Sequence, residues 1–412
     1  MKIAIVGSGI SGLTCGYLLH ENHEVTVYEA NEYAGGHTHT IRVERDHGDY
    51  AVDTGFIVFN RTTYPNFCKL IDRLGVEYQP SRMTFCVKCA RTGLEYGASN
   101  LNTFFSQRRN LFSLDHYRMI YDIFRFRRHF NRLLDHSNDS EPLLPYLESQ
   151  GFSERFINYF MIPLAASIWS APPEEIRDYP LGSLVRFFEN HGFLNIRNPF
   201  DWLVIKGGSR TYVDKLIEPF LDRIRLSCPV KSVRRFPDRV EIVSPAGTEL
   251  FDQVIIAAHS DQALAMLADP SPVEREILGA IPYQSNRTLL HTDPSPLPFD
   301  RSIWASWNYF IPPQEHERAS LTYNMNILQT IDSPENFLVS LNRTDLDPAK
   351  IIGEYEYAHP MYDTGAPAAQ ARHGEISGIN RTHYCGAYWS YGFHEHGCAS
   401  GARVARFFGR DL

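Results

Sequence analysis

Gly7-Ser8-Gly9-Ile10-Ser11-Gly12, followed by an acid at Glu29, is a constellation that can hold a dinucleotide. The first glycine permits a tight turn, the second lets backbone approach a pyrophosphate, and the third lets a helix pack on a strand. Phosphates would sit on the free N–H groups and positive dipole end of the helix that follows. The acid would accept hydrogen bonds from an adenosine ribose. These groups need a scaffold, and the flanking sequence supplies one. Ile3 to Val6 is an apolar run suited to a buried parallel strand, Leu13 to His20 reads as a helix, and Glu24 to Tyr28 is a second strand ending at Glu29.

Ala30 to Gly36 reads A-N-E-Y-A-G-G, a glycine pair just after the ribose-binding acid. By itself Gly35-Gly36 could equally be a loop between elements. The extension resembles the FAD-binding signature of the amine oxidase, protoporphyrinogen oxidase and phytoene desaturase superfamily. There the pair lets the chain pass close to the cofactor's pyrophosphate and ribityl region. Many members continue with Arg, where this chain has His37. The resemblance implies FAD, held by Gly7, Gly9, Ile10, Ser11, Gly12, Glu29, Ala30, Gly35, Gly36, His37 and Thr38. It also implies an adenine contact near Val230, and a strand from Asp252 to Ala258 (with Ala257 at its end) returning beneath the adenine half. Tyr384 to Trp389, containing Gly386, resembles the closing flavin motif. Phe393, His394 and Glu395 then precede a helix of small residues, Cys398 to Ala405, whose dipole would stabilise charge on a reduced ring.

Several loop blocks narrow the resemblance. They are Thr54-Gly55-Phe56-Ile57-Val58-Phe59-Asn60-Arg61, Tyr64-Pro65-Asn66, Ala166-Ser167-Ile168-Trp169-Ser170, Ala305-Ser306-Trp307-Asn308 and Gly392-Phe393-His394-Glu395. Together they resemble the flavoprotein-like N-terminal region of plant cyclopropane fatty-acid synthases and its stand-alone bacterial relatives. This implies a lipid context, a lipid methyltransferase as a partner, and cofactor contacts at Thr54, Gly55 and Phe56. It does not fix a reaction.

The chain has 412 residues, room for two or three domains and a large core. The expected fold class is α/β. A Rossmann-like FAD-binding domain is built from discontinuous segments (1–75, 200–275 and 371–412), with an inserted α+β substrate or cap domain (76–199 and 276–370). Thr211 to Asp222 reads as an amphipathic helix, and Leu226 to Val243 as strands with Val230, Val233 and Val240 inward. A net charge of −8 gives no nucleic-acid footprint. No apolar run reaches the ~18 residues of a membrane span, and no secretory signal is evident. Seven scattered cysteines suggest a reducing cytoplasm rather than a disulfide framework. Cys86 and Cys89 have CxxC spacing without a second pair, and His394-x-His396 lacks further ligands, so no metal is expected.

An acyl chain suits the aromatic content, 13% of residues. Trp169, Trp307, Tyr309, Phe310, Tyr323, Tyr388 and Trp389 are candidates to line an apolar tunnel, against the plain alternative that they fill the core. Many amine oxidases in the superfamily carry a lysine in a substrate-domain strand near flavin N5. No lysine stands between Lys231 and Lys350, and the corresponding strand offers Asn286, Arg287 and Thr288. The expected reaction is therefore FAD-dependent oxidation, a desaturation, of a lipid acyl chain, methylated or cyclopropanated. A flavin amine oxidase and a non-catalytic FAD-binding partner of a lipid methyltransferase stand as alternatives. Candidate bases are His394, Glu395 and Tyr391. Leu114 to His136 reads as an amphipathic helix with an arginine-rich side. Such a helix can lie peripherally on the inner face of a membrane, or pack on its own domain with the arginines solvated.

Overall fold

The structure is a computed structural model that describes residues 1–136, 141–169, 173–190, 200–314, 320–362 and 365–412. Ser170 and the side chain of Trp169 lie outside the described residues.

Ile3, Ala4 and Ile5 are fully buried, and Lys2–Val6 is the centre of a five-stranded parallel sheet. Glu24–Tyr28 and then Ile224–Arg225 lie on one side of it, Gln253–Ile256 and then Thr382–Tyr384 on the other. Three distant stretches of chain thus make one sheet. The helix Ile10–Leu19 crosses it, apolar nearly all round because the closing helix His394–Phe407 covers its other side.

A second sheet of seven strands runs in the order Ile351–Pro360, Tyr283–His291, Leu338–Leu341, Ser320–Asn324, Trp307–Ile311, Phe85–Cys89, Glu95–Gly97. It is antiparallel except where Trp307–Ile311 runs parallel to Phe85–Cys89. One face is set by the pairing. Tyr357 pairs with Asn286, Leu290 with Val339, Val339 with Tyr323, and Tyr323 with Trp307, so these side chains and those two residues along share a side. Helices between Leu114 and Asn190 form a separate apolar core that packs on Val87 and Tyr309 of this sheet. Tyr78–Pro80 pairs with Trp202–Ile205, which also pairs with Val58–Asn60.

Three elements differ from expectation, each for a local reason. The amphipathic helix is Arg210–Ile217 and tightens into a 3₁₀ turn at Glu218–Arg223, since Pro219 has no N–H to continue the ladder. The strands start at Ser232, not Leu226: Ser227 has φ +50 and Pro229 cannot donate, so the stretch hangs beside Glu29. Val230 is half-buried there and packs against the core behind the parallel sheet. The closing helix begins at His394, four residues before Cys398. Phe393 is extended, and its N–H is taken by His396 Nδ1 at 3.2 Å.

Candidate active site

The dinucleotide turn separates two kinds of glycine. A Cβ on Gly7 (φ +103) would lie 2.7 Å from the Ala257 carbonyl oxygen, and one on Gly12 would lie 2.0 Å from the Gly7 carbonyl oxygen. The protein's own packing demands both. At Gly9 a Cβ would meet nothing within 4 Å, so that glycine keeps open a space the protein does not fill. The pair Gly35-Gly36 is more than a loop. Gly35 N–H donates to the Ser8 carbonyl at 2.9 Å, and a Cβ on Gly36 would come within 3.0 Å of Gly9 Cα. Glu29 is buried and accepts from Ser8 N–H at 2.9 Å, Ser8 Oγ at 2.5 Å and Asn31 N–H at 2.8 Å. Its two oxygens still hold acceptor capacity for a diol. Ala30 beside it is exposed.

The closing helix aims its N-terminus at the same turn. A Cβ on Gly397 would lie 2.6 Å from Ile10 Cγ2, and one on Gly401 2.4 Å from the Ser11 carbonyl oxygen, so the two helices touch backbone to backbone. Ile10 and Ser11 are buried in this contact. Gly386 N–H donates to Ser400 Oγ of the same helix at 3.1 Å. Two helix N-termini and the unfilled space at Gly9 fit an anionic dinucleotide.

The chain beyond the glycine pair folds back on itself. Phe56 N–H donates to the His37 carbonyl at 2.7 Å, and Gly55 passes so close that a Cβ would lie 2.1 Å from that oxygen. Thr54 Oγ1 is 2.7 Å from the Tyr357 hydroxyl, which also meets His39 Nδ1 at 2.8 Å. The seven-stranded sheet is thereby fastened to the cradle. Asp53, fully buried, is the pin below: it accepts from Ser209 N–H (2.9 Å), Thr40 Oγ1 (2.5 Å) and Gln329 Nε2 (2.7 Å). Burial lifts its carboxyl to about 6, against the pull of the Thr40 and Ser209 hydrogen bonds.

His37, His259 and His359 form a cluster, with His37 ring centroids 6.3 Å from His259 and 5.5 Å from His359. Tyr283 stacks on His259 at 4.3 Å. His37 is pushed down to about 3 by burial first and then by the two other imidazoles, and His359 to about 4 by burial and His259. Each is a neutral ring. His37 Nε2 is buried with no hydrogen-bond partner in the protein.

His394 lies half-buried between cradle and cap. Its ring stacks on Phe56 at 3.6 Å, and its Nε2 is 2.7 Å from the Tyr212 hydroxyl, which is 2.6 Å from Thr38 Oγ1. Burial, then His37, holds its pKa well below the usual value. His396 is two residues along the helix, points elsewhere, and is tied to Phe393. Glu395 does not have the free carboxylate of a base. It accepts from Asn66 N–H (3.1 Å), Asn66 Nδ2 (2.6 Å) and Phe67 N–H (2.9 Å), capping the helix Pro65–Arg73. Tyr391 is half-buried near Phe187 and His396, lining a cavity of about 300 Å³ with Thr62, Tyr64, Pro65 and Phe393.

The aromatic candidates divide. Trp307, Tyr309 and Tyr323 share the sheet face that carries Tyr357 and His359. Trp307 Nε1 and the Tyr309 hydroxyl are buried without a partner. Phe310 points to the other side, beneath Arg343 at 4.2 Å. Tyr388 and Trp389 pack instead in the core behind the parallel sheet, Trp389 against His373 at 4.5 Å. The expected tunnel lining there is core, because the 3₁₀ turn Ala387–Trp389 faces the helix Ala366–Ala371. Asn286 is engaged with His359 and Asn342, and Arg287 is paired outward with Glu354. Sequence reasoning missed Asp53, Tyr212, His259 and His359. The signal for Asp53 was a lone acid in an otherwise apolar run before Thr54-Gly55; the others carry no local mark.

The profile described as flavin containing amine oxidoreductase matches residues 10–297. A 51-residue stretch is 49% identical to an L-amino-acid oxidase of Bothrops jararacussu, 12% of this chain and about a tenth of that relative's length. The fold is similar to that of a CLA-producing fatty acid isomerase from P. acnes (TM-score 0.70, 16% identity, 98% of both chains). It is also similar to cyclohexylamine oxidase from Brevibacterium oxydans IH-35A (TM-score 0.66, 16% identity, 99% of both chains).

Proposed function

The chain belongs to the flavin containing amine oxidoreductase family, and within it we propose that the substrate is a lipid acyl chain, oxidised to an alkene. It is a flavin-dependent oxidoreductase whose cofactor is FAD, and the cradle around Gly9, Glu29 and His37 suits that group. Bound there, FAD supplies a two-electron acceptor for a hydride taken from the substrate.

One observation carries the reading. The sheet face continuous with His359 presents Trp307, Tyr309 and Tyr323, while the buried carboxylates around the cradle, Glu29, Asp53 and Glu395, are all engaged by protein donors. Asp53 and Glu395 are held by protein donors and Glu29 is the ribose acceptor, which leaves an ammonium group the aromatic faces alone. An acyl chain would find apolar surface, worth roughly 0.8 kcal/mol per CH₂ buried. The Trp307 N–H and Tyr309 O–H are two unpaired donors for a single polar end group, the acyl carbonyl. Burial keeps the Tyr309 phenol protonated. The loop blocks that resemble the flavoprotein-like region of plant cyclopropane fatty-acid synthases support the same lipid context.

Desaturation removes a hydride and a proton from neighbouring carbons. We take His394, neutral and clamped between Phe56 and Tyr212, as the candidate to receive that proton; Glu395 caps the helix Pro65–Arg73 instead. Electrons leave to oxygen or a carrier.

The test is anaerobic. The visible flavin band is recorded before and after adding detergent-dispersed phospholipid with methylated or cyclopropanated chains. Bleaching, with an alkene product lighter by about 2 Da, supports the reading. A band bleached by amines instead makes the chain an amine oxidase. A band that no compound bleaches, in a protein that co-purifies with a lipid methyltransferase, makes it an accessory flavoprotein.

A further inference from the structure

Over residues 114–129 the helix Leu114–His136 has a buried side and, opposite it, an exposed apolar side. Its inner side, His116, Met119 and Phe126, is buried in the cap. Its outer side carries Leu114, Tyr117, Tyr121 and Phe124, all exposed. The preceding turn adds Phe112, 91% exposed, next to Leu114 at 85%. Of the fifteen large apolar side chains exposed among the described residues, seven lie between Leu101 and Phe124. Such clustering on one short stretch marks a surface that something covers.

Charge says what. Residues 101–128 hold six arginines against Asp115 and Asp122, in a chain whose net charge is −8. Arg108, Arg109 and Arg128 are exposed beside the apolar residues. Arg118 lies over the Tyr121 ring at 5.3 Å and pairs with buried Asp122 at 3.2 Å. We infer that this face is a docking surface for an anionic lipid bilayer. Phe112, Leu114 and Phe124 enter the interface, the tyrosines sit at its level, and the arginines meet lipid phosphates. A partner helix would cover the stripe from Leu114 to Phe124, but a planar boundary also covers Leu101, Leu111 and Phe112 on the turns before it. No described helix is long and apolar enough to cross a membrane, so the surface lies on the bilayer.

The face leads inward. The docking helix packs on Leu181–Asn190, and Phe187 of that helix stacks on Phe393 at 5.0 Å, one residue before His394. The docked surface is therefore two helices from the candidate base. This inference goes beyond the acyl-chain reading and does not depend on it.

The experiment is sedimentation of holoenzyme with vesicles of phosphatidylcholine alone and of phosphatidylcholine mixed with phosphatidylglycerol, at low and high salt. Binding to the anionic vesicles is expected, weakened by salt. The double variant Phe112→Ser/Leu114→Ser should lose at least about tenfold in partitioning. Arg108→Gln/Arg128→Gln should lose about tenfold and most of the salt dependence. Flavin band and melting temperature stay as in the parent, since all four residues are exposed. Wild-type protein that ignores anionic vesicles, or apolar variants that bind equally, overturns the inference. So does a dimer in solution that the Phe112→Ser/Leu114→Ser change dissociates, because the face then belongs to a second copy. Vesicle binding without lipid bleaching in detergent leaves docking standing and removes the acyl-chain reading; the reverse result removes only docking.

Discussion

The imidazole of His394 lies flat on the ring of Phe56, centroids 3.6 Å apart and planes 10° apart. With Nε2 on the Tyr212 hydroxyl at 2.7 Å, that stacking leaves the ring one orientation. Tyr212→Phe should keep FAD but leave His394 Nε2 and Thr38 Oγ1 short of a partner, costing about 1–2 kcal/mol. Flavin reduction by saturating substrate should slow about tenfold with KM little changed. Stopped-flow reduction compared with the melting temperature checks this; an unchanged rate would take His394 out of the chemistry.

The pH profile of the same reduction step is a second expectation. Burial, helped by His37, holds His394 well below its usual pKa, so it stays neutral throughout the working range. The rate should show no inflection near about pH 6.5. A single ionisation there, abolished by His394→Gln, would mean the ring is solvated when the cofactor is in place.

Gly9 and Gly12 should part company on substitution. Gly9→Ala puts a methyl into open space, so the apoprotein should melt within about 0.5 kcal/mol of its parent while FAD affinity falls at least about tenfold. Gly12→Ala drives a methyl to 2.0 Å from the Gly7 carbonyl oxygen, and the protein should fail to fold. FAD titration of refolded apoprotein, with calorimetry, distinguishes the two. Equal FAD affinity for Gly9→Ala would move the pyrophosphate elsewhere.

Glu395→Gln tests a cap against a base. The amide oxygen can keep both Asn66 donors while its NH₂ opposes the Phe67 N–H, so loss of about 1–2 kcal/mol of stability is expected. Anaerobic flavin reduction should stay within about twofold of the parent. A rate collapse at unchanged melting temperature would return the proton to Glu395.

Acid should unfold the protein early. His291, His373 and His383 are buried, and burial lowers each to about 4. Their unfolded value is about 6.5, so between these limits the unfolded chain binds more protons. Stability is full above about pH 6.5 and is lost as pH falls towards about 4. Asp53, raised to about 6, works the other way over the same range, as do the raised carboxyls of Glu95 and Glu395, while His37 and His359 act with the three histidines. Calorimetry from neutral pH downwards should show the melting temperature falling by several degrees per pH unit. A flat curve above about pH 5 would contradict the burial of these rings.

The nucleotide cradle was legible because it is local. Strand, glycine turn, helix and acid follow one another in 29 residues, and their spacing alone dictates the turn, the helix N-terminus and the ribose acceptor. Gly35-Gly36 was readable as signature but not as structure, since what makes it necessary is its contact with Gly9 and Ser8. The basic amphipathic helix was legible as a pattern, yet periodicity could not say which apolar side faced the core. Only packing buried Met119 and exposed Tyr121.

Residue type and spacing determined the glycine turn, the helix start after it and the acid at Glu29 that closes the second strand, because backbone conformation and helix dipoles act over a few residues. Tertiary structure decided the roles of side chains from remote segments. It gave Glu395 to the end of another helix, sent Trp389 into the rear core, and joined His394 to Phe56 and Tyr212. Glu395 and its donors, and His394 and its two partners, lie between 182 and 338 residues apart in the chain, and neither composition nor period records which distant side chain will take up a hydrogen bond or a ring face.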